Sequence, residues 1–237
     1  MKILGIDTTA KVSTAALMCD GIIICEMNLN NGLTHSQTIM SIVNSVLKFS
    51  SVSLDEIDIF AVTTGPGSFT GVRIGVSLVK GLAFPRNTKC MGLSSLEALA
   101  YNMYGIDAYI CPVMDARRSQ VYTALFEFRD GGMVRLMEDD ILKIENLGEK
   151  IKNLSKPVFF LGDGSELCYN VLENVNRNFK IASKSIRYQK GASVCLLANE
   201  LLEKYGDEHI LYSDTLLPSY LRPSQAEREY VERNNNG

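Results

Sequence analysis

Residues Thr63-Thr64-Gly65-Pro66-Gly67-Ser68-Phe69-Thr70-Gly71-Val72-Arg73-Ile74-Gly75 constrain this chain more than any other stretch. An apolar run from Ile57 to Val62 reads as a strand entering a glycine-rich turn. The turn opens directly into a helical pattern from Phe69 to Phe84, which Pro85 ends. Such a turn aims several backbone N–H groups at one spot, with the positive end of the helix dipole behind them. Two phosphate motifs are excluded by spacing. A P-loop needs Gly-x-x-x-x-Gly-Lys-Ser/Thr, but the position of its second glycine is Thr70. A dinucleotide fingerprint needs Gly-x-Gly-x-x-Gly, and Gly71 falls one residue too late. The same glycines also fit a tight turn with positive φ, followed by a helix lying close to another backbone.

The chain starts Lys2-Ile3-Leu4-Gly5-Ile6-Asp7-Thr8-Thr9, continues through Val12 to Cys19, turns at Asp20-Gly21 and runs on from Ile22 to Asn28. These are three consecutive strands joined by tight connections. Helices and strands then alternate. Thr34 to Phe49 places Ile39, Ile42, Val43, Val46 and Leu47 at helical spacing. A strand over Cys90 to Leu93 precedes a helix from Ser95 to Tyr104. Near Gly105 the pattern restarts: Ala108 to Met114 and Gln120 to Phe128 are strand-like and flank a turn at Asp115-Ala116-Arg117-Arg118. After a hairpin turn at Asp130-Gly131-Gly132 come a helix over Ile144 to Asn153, a strand over Pro157 to Leu161, and helices over Glu166 to Val175 and Gly191 to Tyr205. The restart predicts a second lobe that repeats the first in outline. Residues 1–105 form the first lobe, 106–222 the second, with the last helix free to pack back on the first, and 223–237 a frayed polar tail.

With 237 residues, 46% of them hydrophobic, the chain can bury a full core as one large domain or as two lobes. A net charge of −3 leaves no electrostatic footprint for a polyanion, so RNA binding by the chain alone is not expected. The six cysteines form no CxxC pair and sit in apolar runs, which reads as reduced core thiols of a cytoplasmic protein. Asp7 interrupts the first apolar run too early for a signal peptide, and no stretch reaches the roughly 20 apolar residues of a membrane span.

A chain that opens with a strand ending in Asp-Thr-Thr and doubles back twice resembles the actin-like ATPase (ribonuclease H-like) superfold of actin, sugar kinases and heat-shock chaperones. The resemblance implies an α/β protein of two similar lobes, each a mixed β-sheet with flanking helices. It also implies a phosphate site at the first hairpin, Asp7, Thr8 and Thr9, vestigial in this chain because the usual glycine after Asp7 is Thr8. Within that superfold the sequence resembles the TsaB family, bacterial partner proteins in synthesis of the threonylcarbamoyladenosine base of tRNA. The matches are Gly5-Ile6-Asp7-Thr8-Thr9, His35-Ser36, the glycine-rich stretch from Gly65 to Gly75, Asp115-Ala116-Arg117-Arg118 with Val121-Tyr122, and Pro218-x-Tyr220-Leu221-Arg222.

The residues offer little for catalysis. TsaD, the catalytic paralogue that the TsaB family resembles, binds its metal with two histidines four residues apart on one helix. Here His35 is followed by Ile39, and His209 is remote, so no metal is expected. Ser68 lies in Gly65-Pro66-Gly67-Ser68 rather than Gly-x-Ser-x-Gly, with no histidine placed to serve it. Sugar kinases use a phosphate hairpin in each lobe. Where the second lobe should supply glycines for close approach to phosphate, this chain has Asp115-Ala116-Arg117-Arg118-Ser119. Arg117 and Arg118 there favour a salt bridge across the cleft or to a partner. Gly162-Asp163-Gly164 is a short adenosine-lobe candidate. No catalytic residue and no cofactor is assigned to the isolated chain, and ATP or ADP is expected only in an assembled complex. The rival reading is an active ATP-dependent small-molecule kinase or metallopeptidase of the same superfold.

Gly71 and Gly75 lie one turn apart, leaving one side of the second helix nearly bare and open to backbone approach closer than the usual ~8–10 Å. The first helix is apolar over more than one face, Met40 and Leu47 adding to Ile39, Val43 and Val46, and this surplus reads as a docking surface. Covering the sheet accounts for part of the same residues. The resemblance implies that both helices form a four-helix bundle with TsaD or with a second copy of the chain. The expected interface is His35, Ile39, Met40, Val43, Leu47, Thr70, Gly71, Arg73, Ile74, Gly75, Ser77 and Leu78. The implied role is a non-catalytic subunit that docks and activates TsaD. The ATPase TsaE would join the assembly, tRNA would be met only through the complex, and the chain would form a homodimer when TsaD is absent.

Overall fold

The computed structural model describes residues 1–222, and the tail expected at 223–237 lies outside the described residues. Strands β1 (Lys2–Asp7), β2 (Ser13–Cys19) and β3 (Ile22–Leu29) form an antiparallel meander. Asp20 and Gly21 both take positive φ, 48° and 80°, as a two-residue hairpin turn of matching twist requires. β4 (Ile59–Gly65) pairs parallel with β1, and β5 (Lys89–Ser94) parallel with β4, giving the order β3-β2-β1-β4-β5. The second sheet comprises β6 (Tyr109–Asp115), β7 (Gln120–Arg129), β8 (Gly132–Lys143), β9 (Val158–Leu161) and β10 (Phe179–Ile181). Its order, β10-β9-β6-β7-β8, and its pairing senses repeat the first strand for strand.

Helices α1 (His35–Ser50) and α2 (Phe69–Ala83) cover one face of the first sheet, where Ile39, Ile42, Val43, Val46, Val72 and Val76 pack on Leu4, Ile6, Leu17 and Phe60. Burying each such side chain contributes about 1.5–3 kcal/mol. Gln37 accepts the N–H of Thr34 at the start of α1, and Ser68 accepts the N–H of Gly71 at the start of α2. α3 (Ser95–Ala100) and α6 (Gly191–Tyr205) lie between the sheets. Val194, Cys195 and Ala198 pack on Ile3, Ala16 and Met18, while Leu96 and Leu99 pack on Ile110 and Phe126. α4 (Ile144–Ile151) and α5 (Ser165–Leu172) cover the outer face of the second sheet. Arg135 on β8 donates to Glu97 on α3 and to Asp139, both at 2.6 Å, which ties the second sheet to the central layer.

The structure adds to the sequence reading at two points and corrects it at one. α6, the helix left free to pack back on the first lobe, completes the core of the first sheet, and Leu211 pairs with Cys90 on β5. β8 and β10 are strands that the sequence pattern did not mark. The helix expected through Tyr104 ends at Ala100 and continues as a 3₁₀ turn over Tyr101–Met103.

Candidate functional site

A polar cleft of about 380 Å³ opens between the lobes. Its first-lobe wall is the tip of the β1–β2 hairpin, Thr9 to Lys11, with Gly67 and Ser68. Its second-lobe wall is the end of β6, Met114 to Arg117, with Tyr122 and Asp163. The resemblance to the superfold implies phosphate at this hairpin, and three of the hairpin's donors, the Thr9 N–H and hydroxyl and the Thr8 hydroxyl, are used internally. The Asp7 carboxylate accepts both the N–H and the hydroxyl of Thr9, each at 2.7 Å. Thr9 accepts the N–H of Ser68 at 2.7 Å, and the Thr8 hydroxyl donates to the Gly71 carbonyl at 2.7 Å. Asp7, Thr8 and Thr9 are buried; the Asp7 bonds brace the hairpin internally, and Thr8 and Thr9 tie it to the glycine turn. Burial pushes the Asp7 carboxyl up, against the pull of the Thr9 hydrogen bonds.

The glycine turn is shaped by what surrounds it. Gly65 and Gly67 take φ of 127° and 157°, and a β-carbon on Gly67 would stand 2.5 Å from the Thr9 carbonyl oxygen. On Gly65 it would strike the carbonyl of Ser219. That residue begins a strap: Ser219 donates to Thr64, Tyr220 stacks on Phe69 at 4.6 Å, and Arg222 reaches the Ala116 carbonyl of the second lobe. Arg73 donates to the Tyr220 hydroxyl at 2.9 Å and lies 3.9 Å from the Phe69 ring centre.

The second-lobe turn departs from expectation. Arg117, Arg118 and Ser119 are three consecutive non-glycine residues in the left-handed region, with φ of 68°, 55° and 56°. Arg117 pairs with Asp115 of its own turn at 3.7 Å rather than across the cleft, and its side chain is 87% exposed. Arg118 does not line the cleft. Asp163, from the short Gly162-Asp163-Gly164 segment, does line it and accepts the Asp115 N–H at 3.1 Å. Burial pushes the Asp163 carboxyl up, while that hydrogen bond and the Lys11 charge pull it down. Among the described residues no group of three His, Cys, Asp or Glu side chains converges to hold a metal. His35 instead turns Nε2 onto the Ala10 carbonyl at 2.6 Å, pinning the start of α1 to the hairpin tip.

The twelve expected interface positions divide by burial. Ile39 and Val43 belong to the first-lobe core. Gly71 and Gly75 are buried against the β1–β2 hairpin: a β-carbon on Gly75 would stand 2.6 Å from the Thr8 hydroxyl, and on Gly71 it would meet the Thr8 carbonyl. The backbone that approaches these glycines is the chain's own. Met40, Leu47, Thr70, Arg73, Ile74, Ser77 and Leu78 remain exposed or half-buried on the outer face. Phe49, near the end of α1, and Phe84, directly after α2, are 72% and 76% exposed. Sequence reasoning missed them because each sits at a helix end, outside the periodic pattern.

The paired five-stranded sheets and the cleft between them define a two-lobed actin-like protein. A family model described as "TsaD: tRNA N6-adenosine threonylcarbamoyltransferase" matches residues 32–230. A Bacillus subtilis protein, "tRNA threonylcarbamoyladenosine biosynthesis protein TsaB", is 33% identical over 98% of this chain and 99% of its own length. The Escherichia coli protein of the same description is 33% identical over 69% of this chain and 72% of its own. The solved structure of YeaZ from Pseudomonas aeruginosa superposes with a TM-score of 0.74 at 22% identity, covering 93% of this chain and 99% of that one. The chain belongs to the TsaB family of tRNA threonylcarbamoyladenosine biosynthesis proteins. Among the described residues no helix is long and apolar enough to cross a membrane.

Proposed function

We propose that this chain serves tRNA threonylcarbamoyladenosine formation as a non-catalytic cytoplasmic subunit that docks and activates the transferase TsaD through the outer face of α1 and α2. The observation that carries this reading is the strip of Met40, Leu47, Ile74 and Leu78, which stays at least partly open to solvent although both helices already cover their sheet. The names of its relatives place them in this pathway. The same face would take a second copy of the chain when TsaD is absent. The ATPase TsaE would join the assembled pair, ATP or ADP would bind only there, and tRNA would be met through the complex.

Ile74→Glu combined with Leu78→Glu tests the reading. Both side chains are half-buried, so the fold should survive. Charge at the centre of an interface should weaken TsaD binding by a factor of about 30 or more. The matched control, Leu167→Glu on α5, replaces an equally apolar residue that is 42% exposed and should leave binding unchanged. Normal assembly by the folded double variant would place the partner elsewhere.

A further inference from the structure

The interlobe cleft has a charge arrangement that neither phosphate binding nor docking explains. Its rim carries two cations, Lys11 from the first lobe and Arg117 from the second, while Asp115 and Asp163 supply carboxylates on the second-lobe wall. Lys11 enters no ion pair among the described residues, and Asp163 forms none either. Opposite charges therefore face one small volume with their pairing incomplete, next to the Tyr122 side chain. A phosphate ester suits this poorly, because the N–H of Thr9 and that of Ser68 are taken internally and two carboxylates repel it.

We propose that the cleft binds a small zwitterion of the α-amino-acid class, its ammonium on Asp163 and Asp115 and its carboxylate on Lys11 and Arg117. Two features favour this class. Lys11 and Asp163 line the cleft from opposite lobes without an ion-pair partner among the described residues, so a molecule carrying both charges satisfies both at once. The cleft, at about 380 Å³, also falls within the range of sites for small molecules. The site is reached from both lobes, so a bound zwitterion would bridge Lys11 to the second-lobe wall. The inference is independent of the docking face.

Amide NMR of the full chain tests it, following Gly67, Ser68 and Ala116 during titration with L-alanine, propionate, ethylamine or Mg·ATP. L-alanine should shift these amides saturably with a Kd near ~1 mM, and propionate and ethylamine should each bind at least about tenfold more weakly. Lys11→Met and Asp163→Asn should each weaken L-alanine binding to a similar extent. The Asn variant retains the oxygen that accepts the Asp115 N–H, and Lys11 is exposed, so if one variant fails to fold the other still decides. No saturable shift with L-alanine overturns the proposal, as do equal binding of propionate, tighter saturation of the same amides by Mg·ATP, or unchanged binding in both variants.

Discussion

The hydroxyl of Thr8 donates to the carbonyl of Gly71 at 2.7 Å, and the Thr8 carbonyl fills the space a β-carbon on Gly71 would need. The β1–β2 hairpin and the first turn of α2 thus close on each other through a position that admits no side chain. Gly71→Ala should destabilise the protein by about 1–3 kcal/mol. For a chain of this size that lowers Tm by roughly 2–4 °C per kcal/mol. Gly75→Ala, which meets one side-chain hydroxyl rather than a backbone carbonyl, should cost less. Thermal unfolding of both variants checks this, and a fully stable Gly71→Ala would contradict the packing.

The Asp7 carboxyl provides a pH test. Folding raises its affinity for a proton through burial, so the protonated group favours the folded state below its unfolded pKa, and that contribution is lost as pH rises through the folded value. Asp7→Asn retains an oxygen for Thr9 and removes the buried charge. The variant should therefore gain stability relative to the parent as pH rises above the unfolded carboxylate value. Urea midpoints across that range would show the gap widening, and a gap that narrows instead would reverse the assignment.

Thiol chemistry should divide the six cysteines. Cys90, Cys111, Cys168 and Cys195 are buried, and burial pushes the thiols of Cys90 to about 11 and of Cys111 and Cys195 to about 12. Cys19 and Cys25 are only partly covered. An alkylating reagent at neutral pH should modify those two in the native protein and the other four only after denaturation, as mass spectrometry of the labelled protein would record.

Arg135 holds Glu97 and Asp139 together between the second sheet and α3. Its side chain is 21% exposed, so Arg135→Met leaves two carboxylates close together and partly shielded from water. The expected cost is about 1–3 kcal/mol. Urea unfolding should shift to a lower midpoint and broaden as the lobes lose their link. An unchanged curve would show that the clamp contributes nothing.

Hydrophobic periodicity and turn chemistry made most of the fold legible: the opening meander, the restart near Gly105 and the bounds of α6 all follow from local pattern. β8 did not, because Arg135, Glu138, Asp139 and Asp140 interrupt its alternation, and two of these charges find partners on α3 or at Ser94, far away in sequence. The glycines of α2 announced that a backbone comes close without saying whose. Nothing in Arg117-Arg118-Ser119 marks a left-handed run, since none is glycine; the strap that ends with Arg222 on the Ala116 carbonyl supports that turn from afar.

The position of α6 has a consequence for how the molecule comes into being. Gly5 on β1 faces Gly191 and Cys195 so closely that a β-carbon on it would stand 2.8 Å from the Gly191 carbonyl oxygen. β1 is therefore sealed on that side by α6, a helix made long after it. All ten strands of the described residues, including those of the second sheet, are synthesised before α6 emerges. During translation the first sheet must carry an uncovered apolar face of Ile3, Ala16 and Met18 until the second sheet has been made and α6 has followed it.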